Sequence, residues 1–88
     1  MSLKLKNNAI GYLAVTITAS DVGMTLGSGE GSSFPTLSVG DYFYGTISST
    51  AGGLEVVKVT ARVADGLTIV RAQEGTTAQT FSAGSKFE

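Results

Sequence analysis

Residues 42–71, YFYGTISSTAGGLEVVKVTARVADGLTIVR, decide the fold. Tyr42–Ser48 is dense in aromatic and β-branched residues, which pack well on a pleated, half-buried surface, so a strand is expected there. Ala51, Gly52 and Gly53 follow as a hairpin loop in which glycine supplies positive φ. The chain then returns through Leu54–Arg62. Here Leu54, Val56 and Lys58 share one side, while Glu55, Val57, Val59, Ala61 and Val63 share the other, because successive side chains in a strand point to opposite faces. From Val57 onward the odd-numbered set is expected to face the core, and a bulge near Val56 and Val57 would let Leu54 or Val56 join it. Asp65 and Gly66 form a turn dipeptide. Leu67–Arg71 is the third strand, with Leu67, Ile69 and Arg71 opposite Thr68 and Val70.

Upstream, alternation from Tyr12 to Thr18 places Leu13, Val15 and Ile17 on one inward face. A turn at Ser20, Asp21 and Gly23 leads to a short strand at Met24–Leu26. Residues 27–33, GSGEGSS, are too rich in glycine for a regular element and read as a loop. Phe34 is pushed toward extended geometry by Pro35 and is expected to tuck its ring under the sheet. Gly40 and Asp41 turn the chain into Tyr42. Downstream, Gln73 to Gly84 is a polar loop pinned by Phe81, and Ser85–Glu88 is a closing strand. Glycines or β-branched residues interrupt every helical window. The expected fold is all-β, a small antiparallel meander barrel or sandwich of five to six short strands. One domain spans residues 1–88, with residues 1–11 as a candidate docking arm.

An 88-residue chain buries roughly 60 to 65% of the surface that its unfolded form exposes, so its core is thin. Disulfides, a structural metal or association usually compensate for that. The sequence has no cysteine and no histidine, which removes a disulfide framework and the usual zinc and haem ligands. Association remains. The net charge is −1, and Lys4, Lys6, Lys58, Arg62, Arg71 and Lys86 are scattered, so no basic stripe favours nucleic acid as a partner. There is neither a bilayer-length apolar run nor a signal-peptide core, and no membrane partner is expected. Charged residues are 15% of the chain and hydrophobic ones 42%, a balance that suits a β-protein whose surface is covered by neighbours.

No catalytic, cofactor-binding or metal-binding residues are assigned. Without His or Cys, a hydrolase would need Ser/Lys, Thr or paired carboxylates, and none is suitably arranged. Asp21, Glu30, Asp41, Asp65 and Glu74 lie in or beside turns, where acidic side chains accept hydrogen bonds from local backbone amides. Gly27–Gly31 superficially resembles a phosphate-cradling loop, but it lacks the Lys and Ser/Thr of such loops, no helix follows, and Glu30 would repel the phosphate. Tyr42, Phe43 and Tyr44 put rings on both faces of one strand. One face is core; rings on the other either lie over their own sheet or meet something outside the fold.

The segment 54–88 resembles a module that recurs in virion proteins of tailed bacteriophages, commonly near the N-terminus of tail fibres. The resemblance rests on Glu55, Val57, Val59, Thr60 and Arg62, then Leu67, Thr68 and Ile69, then the run Arg71, Ala72, Gln73, Glu74, Gly75, Thr76, Thr77 and Ala78, with Phe81, Ala83 and Gly84. Asn7, Asn8 and Ala9, and the stretch Gly40–Tyr44, also fit. It implies a virion component without catalysis, made in the host cytoplasm. Such a component is normally a homotrimer or higher ring when part of a fibre, and it docks on tail or neck proteins. Asn7, Asn8, Tyr42, Tyr44 and Thr46 are the candidate contacts. Within the loop, Gly75 would supply a tight turn, Thr76 and Thr77 would cap backbone groups, Arg71 and Glu74 would brace it, and Phe81 would pin it. In fibres a long shaft follows the module, whereas these residues stop at Glu88, so the shaft either lies outside the chain or is replaced by stand-alone use. The expected function is tail-associated anchoring. The alternatives are a capsid decoration protein and a glycan-binding adhesion module that stacks sugars on Tyr12, Tyr42 and Tyr44.

Overall fold

The computed structural model describes residues 2–3, 10–35, 37–49 and 52–88, the first two by their backbone alone. The described residues form seven strands: β1 (Ser2–Leu3), β2 (Gly11–Tyr12), β3 (Gly23–Thr25), β4 (Asp41–Ser48), β5 (Leu54–Val63), β6 (Gly66–Gln73) and β7 (Lys86–Phe87). A single 3-10 turn, Glu30–Ser33, lies within the glycine-rich loop. The strand order is β2-β7-β4-β5-β6-β3, antiparallel throughout, and β1 pairs with β4 in parallel. The fold is all-β. Its centre is the β4–β5–β6 meander, and the sheet curls into a half-barrel whose two ends are tied by a Leu13–Leu26 bridge. Tyr12 O accepts from Gly27 N, and Thr25 O from Ala14 N, on either side of that bridge.

Inside the curl, Phe43, Val59 and Ile69 form one row across the meander, and Phe87, Ile47 and Glu55 form another. Phe34 closes over them as its Phe-Pro position predicts, with its ring centroid 5.8 Å from Phe43 and 5.0 Å from Phe87. Phe81 is buried, bridges to Ile17 and holds down the loop that follows β6. Gly45 faces inward beneath Phe87. A Cβ there would stand 2.3 Å from the Phe87 ring, so only glycine lets this ring seat against β4.

Several expectations are corrected. The segment after Tyr12 is not a continuous strand: it touches its neighbours at Leu13 and Ile17 and bows outward between them, leaving Val15 53% exposed. In β5 the pairing passes from Val59↔Ile69 to Ala61↔Thr68, so Thr60 is an extra residue. That bulge turns the odd-numbered side outward, and Val63 is 81% exposed instead of joining the core. The irregularity near Val57 exists but belongs to β6, where Arg71 and Ala72 together face Val57, and Leu54 stays exposed. The β5–β6 turn is Ala64–Asp65, with Ala64 at φ 54, and Gly66 already opens β6.

Candidate functional site

Two features stand out, one inside the sheet and one on its outer face. The inner one is built on Glu55, which shares the inward side of β5 with Val57 and Val59 and is fully buried. Arg71 enters from β6: its Nε donates to Oε2 at 2.8 Å and its Nη2 to Oε1 at 2.9 Å. Ala72 N and Gln79 N also donate to the carboxylate, each at 2.9 Å. Arg71 Nη1 donates to Thr18 O and Asp21 O, and its Nη2 to Gln79 O. All five guanidinium N–H groups are thereby used. Burial pushes the Glu55 carboxyl up, but the bonds from Arg71, Ala72 and Gln79 and the Arg71 charge outweigh it and hold it below the usual value. The pair ties the 18–21 turn and the segment around Gln79 to the sheet. The expected Arg71–Glu74 brace is therefore replaced by Arg71–Glu55.

The rest of the Gln73–Thr77 loop is also held firmly. Thr76 Oγ1 accepts from Val56 N and donates to Gln73 O, and Gly75 takes φ 79. Ala72 and Glu74 lie at φ 56 and 55, a region that non-glycine residues seldom adopt. Thr77 is exposed.

Most acids near turns serve the backbone. Asp21 accepts from Thr18 N, Asp41 from Ser38 N, and Glu30 from Tyr12 N and Gly27 N. Asp65 reaches across from the β5–β6 turn to take Gly31 N at 2.8 Å and Gly29 N at 3.0 Å, and these two bonds hold its carboxyl below the usual value. The amides that a phosphate would need in the glycine-rich loop are thus occupied by a carboxylate of the chain itself. Among the described residues, no three metal-ligating side chains come together.

The outer face of the meander carries Tyr42, Tyr44, Thr46 and Ser48 from β4 and Leu54, Val56 and Lys58 from β5, with Val70 beside Lys58 on β6. Tyr42 and Tyr44 meet edge to face, 5.8 Å between centroids, and the Lys58 ammonium lies 4.6 Å over the Tyr42 ring. Tyr44 and Val70, on either side of Lys58, are both exposed. A hollow of about 130 Å³ lies between Tyr42, Lys58, Thr60 and the Gly40–Asp41 turn. Tyr42, Tyr44 and Thr46 are thus brought together on one surface. Tyr12 is exposed but stands across β7, in the row of Lys86 and Ser48. Asn7 and Asn8, and most of the candidate arm, lie outside the described residues; Ser2–Leu3 at its start is paired in the sheet. Sequence reasoning did not single out Lys58 and Val70, although their outward parity with Tyr44 would have found them once the β4–β5 and β5–β6 registers were known.

No protein-family model matches the chain, and none of the curated proteins compared with it is significantly similar.

Proposed function

We propose that this chain is a structural module of a tailed-bacteriophage particle that acts by docking, at the tail or neck, to copies of itself and to neighbouring virion proteins. The observation that carries the docking part is the outer face of β4–β5–β6. It sets two tyrosines, Val70, Leu54 and Val56 on one side of the sheet with no carboxylate among them. Large exposed apolar areas mark interaction surfaces, and tyrosine supplies broad contact area at small entropic cost. The virion setting is supported by the sequence resemblance. Docking fits the tyrosine geometry better than sugar stacking does, because the Tyr42 face is covered by Lys58 and Tyr44 meets it edge-on.

Electron cryomicroscopy of the particle, together with copy counting, tests this reading. A few copies at the tail or neck are expected; copies tiling the head would favour the decoration reading, and absence from the particle would refute both. Tyr44→Asp places a charge on the face without touching the core. It is expected to cut incorporation into particles more than about tenfold, by loss of a central aromatic contact, while the isolated protein still folds and loses only about 0.5–1.5 kcal/mol with the exposed Tyr42–Tyr44 ring contact.

A further inference from the structure

Asp65 is followed by Gly66, and no other Asp or Asn of the sequence precedes a glycine. In such a pair the amide nitrogen of the second residue attacks the side-chain carboxyl of the first most readily, because glycine has no Cβ to hinder the approach. A bond forms between Gly66 N and Asp65 Cγ, the amide proton leaves with the carboxyl hydroxyl as water, and a succinimide ring closes. Water then reopens the ring. Addition at the side-chain carbonyl restores aspartate; addition at the main-chain carbonyl breaks its bond to Gly66 N and leaves isoaspartate, joined to Gly66 through the side chain. Water is the only co-reactant.

In the folded chain the two reacting groups are held apart by one loop. Gly31 N at 2.8 Å and Gly29 N at 3.0 Å take one carboxylate oxygen each. The carbonyl of the Asp65–Gly66 peptide accepts from Leu26 N at 2.9 Å, which fixes the plane that carries Gly66 N. For the ring to close, the carboxyl must abandon both amides and turn onto that plane. The loop also sits flush on the turn: a Cβ on Gly31 would stand 2.1 Å from Ala64 O and 2.8 Å from Asp65 Cα. Arg62 Nη1 holds the same Ala64 O at 2.9 Å from the other strand end. The two amide bonds further keep the carboxyl ionised, and a carboxylate expels its oxygen less readily than a carboxylic acid does.

We propose that Asp65 is a latent site of spontaneous isoaspartate formation, silent while residues 26–31 are seated on the β5–β6 turn and reactive whenever they leave it. The product is a one-way lock. Isoaspartate lengthens the main chain by a methylene and shifts the carboxylate, so Leu26 N, Gly29 N and Gly31 N no longer find their acceptors together. Leu26 also bridges to Leu13 and so ties the two ends of the sheet. A transient local opening, ordinarily reversible, thereby becomes permanent.

The intact chain, kept for weeks at neutral pH either folded or in guanidinium chloride, tests this, with isoaspartate read by enzymatic methylation and placed by mass spectrometry. The folded chain is expected to react more than about a hundredfold more slowly than the unfolded one, because only its open fraction reacts. Glu30→Ala removes the carboxylate that accepts Tyr12 N and Gly27 N and leaves Asp65 untouched. It is expected to keep a cooperative melt and to speed the folded reaction more than about tenfold. Asp65→Glu, which would need a larger ring, should abolish the product and so locate it. Equal rates in the folded and unfolded chain overturn the proposal, and that comparison needs no variant. A folded Glu30→Ala chain no faster than the unaltered one, or isoaspartate that persists in Asp65→Glu, overturns it as well.

Discussion

Glu55 and Arg71 concentrate more hydrogen bonds than any other pair of side chains described here, and their removal has a definite expected cost. Glu55→Gln keeps the side-chain shape but replaces one acceptor oxygen with a donor, facing N–H groups that all donate. Breaking a buried pair from one side costs roughly 3–5 kcal/mol. The denaturant midpoint of Glu55→Gln should fall accordingly at neutral pH, and amide exchange at Ala72 and Gln79 should accelerate. A loss under about 0.5 kcal/mol, the usual size of an inconsequential surface change, would show that the pair is not structural. Sequence reasoning puts Glu55 on the same side as Val57 and Val59, yet stops short of burying it, because a carboxylate is seldom interior without a partner. That partner lies 16 residues further along the chain. Its approach depends on the Arg71–Ala72 bulge, a feature of strand pairing that neither strand shows alone.

At the level of elements, Gly45 and Phe87 join β4 to β7. Gly45→Ala would drive a methyl into a fully buried ring that is already packed against Phe34 and Phe43. A cost of about 1–3 kcal/mol is expected from overpacking. Adding Phe87→Leu should recover part of it, so the two changes would be non-additive in a double-mutant cycle. Strictly additive losses would mean that the contact is not the cause. The β4–β5–β6 meander was legible because its signals are local: alternation, β-branched residues, and turns carrying Gly or Asp. Val15, Ala61 and Val63 were misassigned because simple alternation fails where Thr60 adds a residue to β5 and where the 13–17 segment bows between its bridges. The outer-face site was half legible. The tyrosines announced themselves by composition, whereas Lys58 and Val70 depended on the register.

For the molecule as a whole, Glu55 and Asp65 are both held below their ordinary values, so the folded chain takes up these protons less readily than the unfolded one. Their contribution is fully present above about pH 5 and is lost as pH falls through the ordinary carboxylate range and then the lower folded values. Thermal melts should be flat in mildly acidic to neutral buffer and drop steeply below about pH 4. Asp65→Asn should soften that drop by removing one of the two groups; an unchanged acid limb would exclude Asp65 as a contributor. The seat of Phe87 has a further implication, for synthesis on the ribosome. The meander is complete at Gln73, but the ring that fills its centre emerges near the end of these residues, at position 87. At ordinary translation rates of ~5–20 residues per second, the nascent sheet waits on the order of a second with the seat of Phe87, between Gly45 and Phe34, still empty. In that interval chaperones or neighbouring nascent chains can reach it, and the yield of correctly folded product becomes a matter of tempo as well as of final stability.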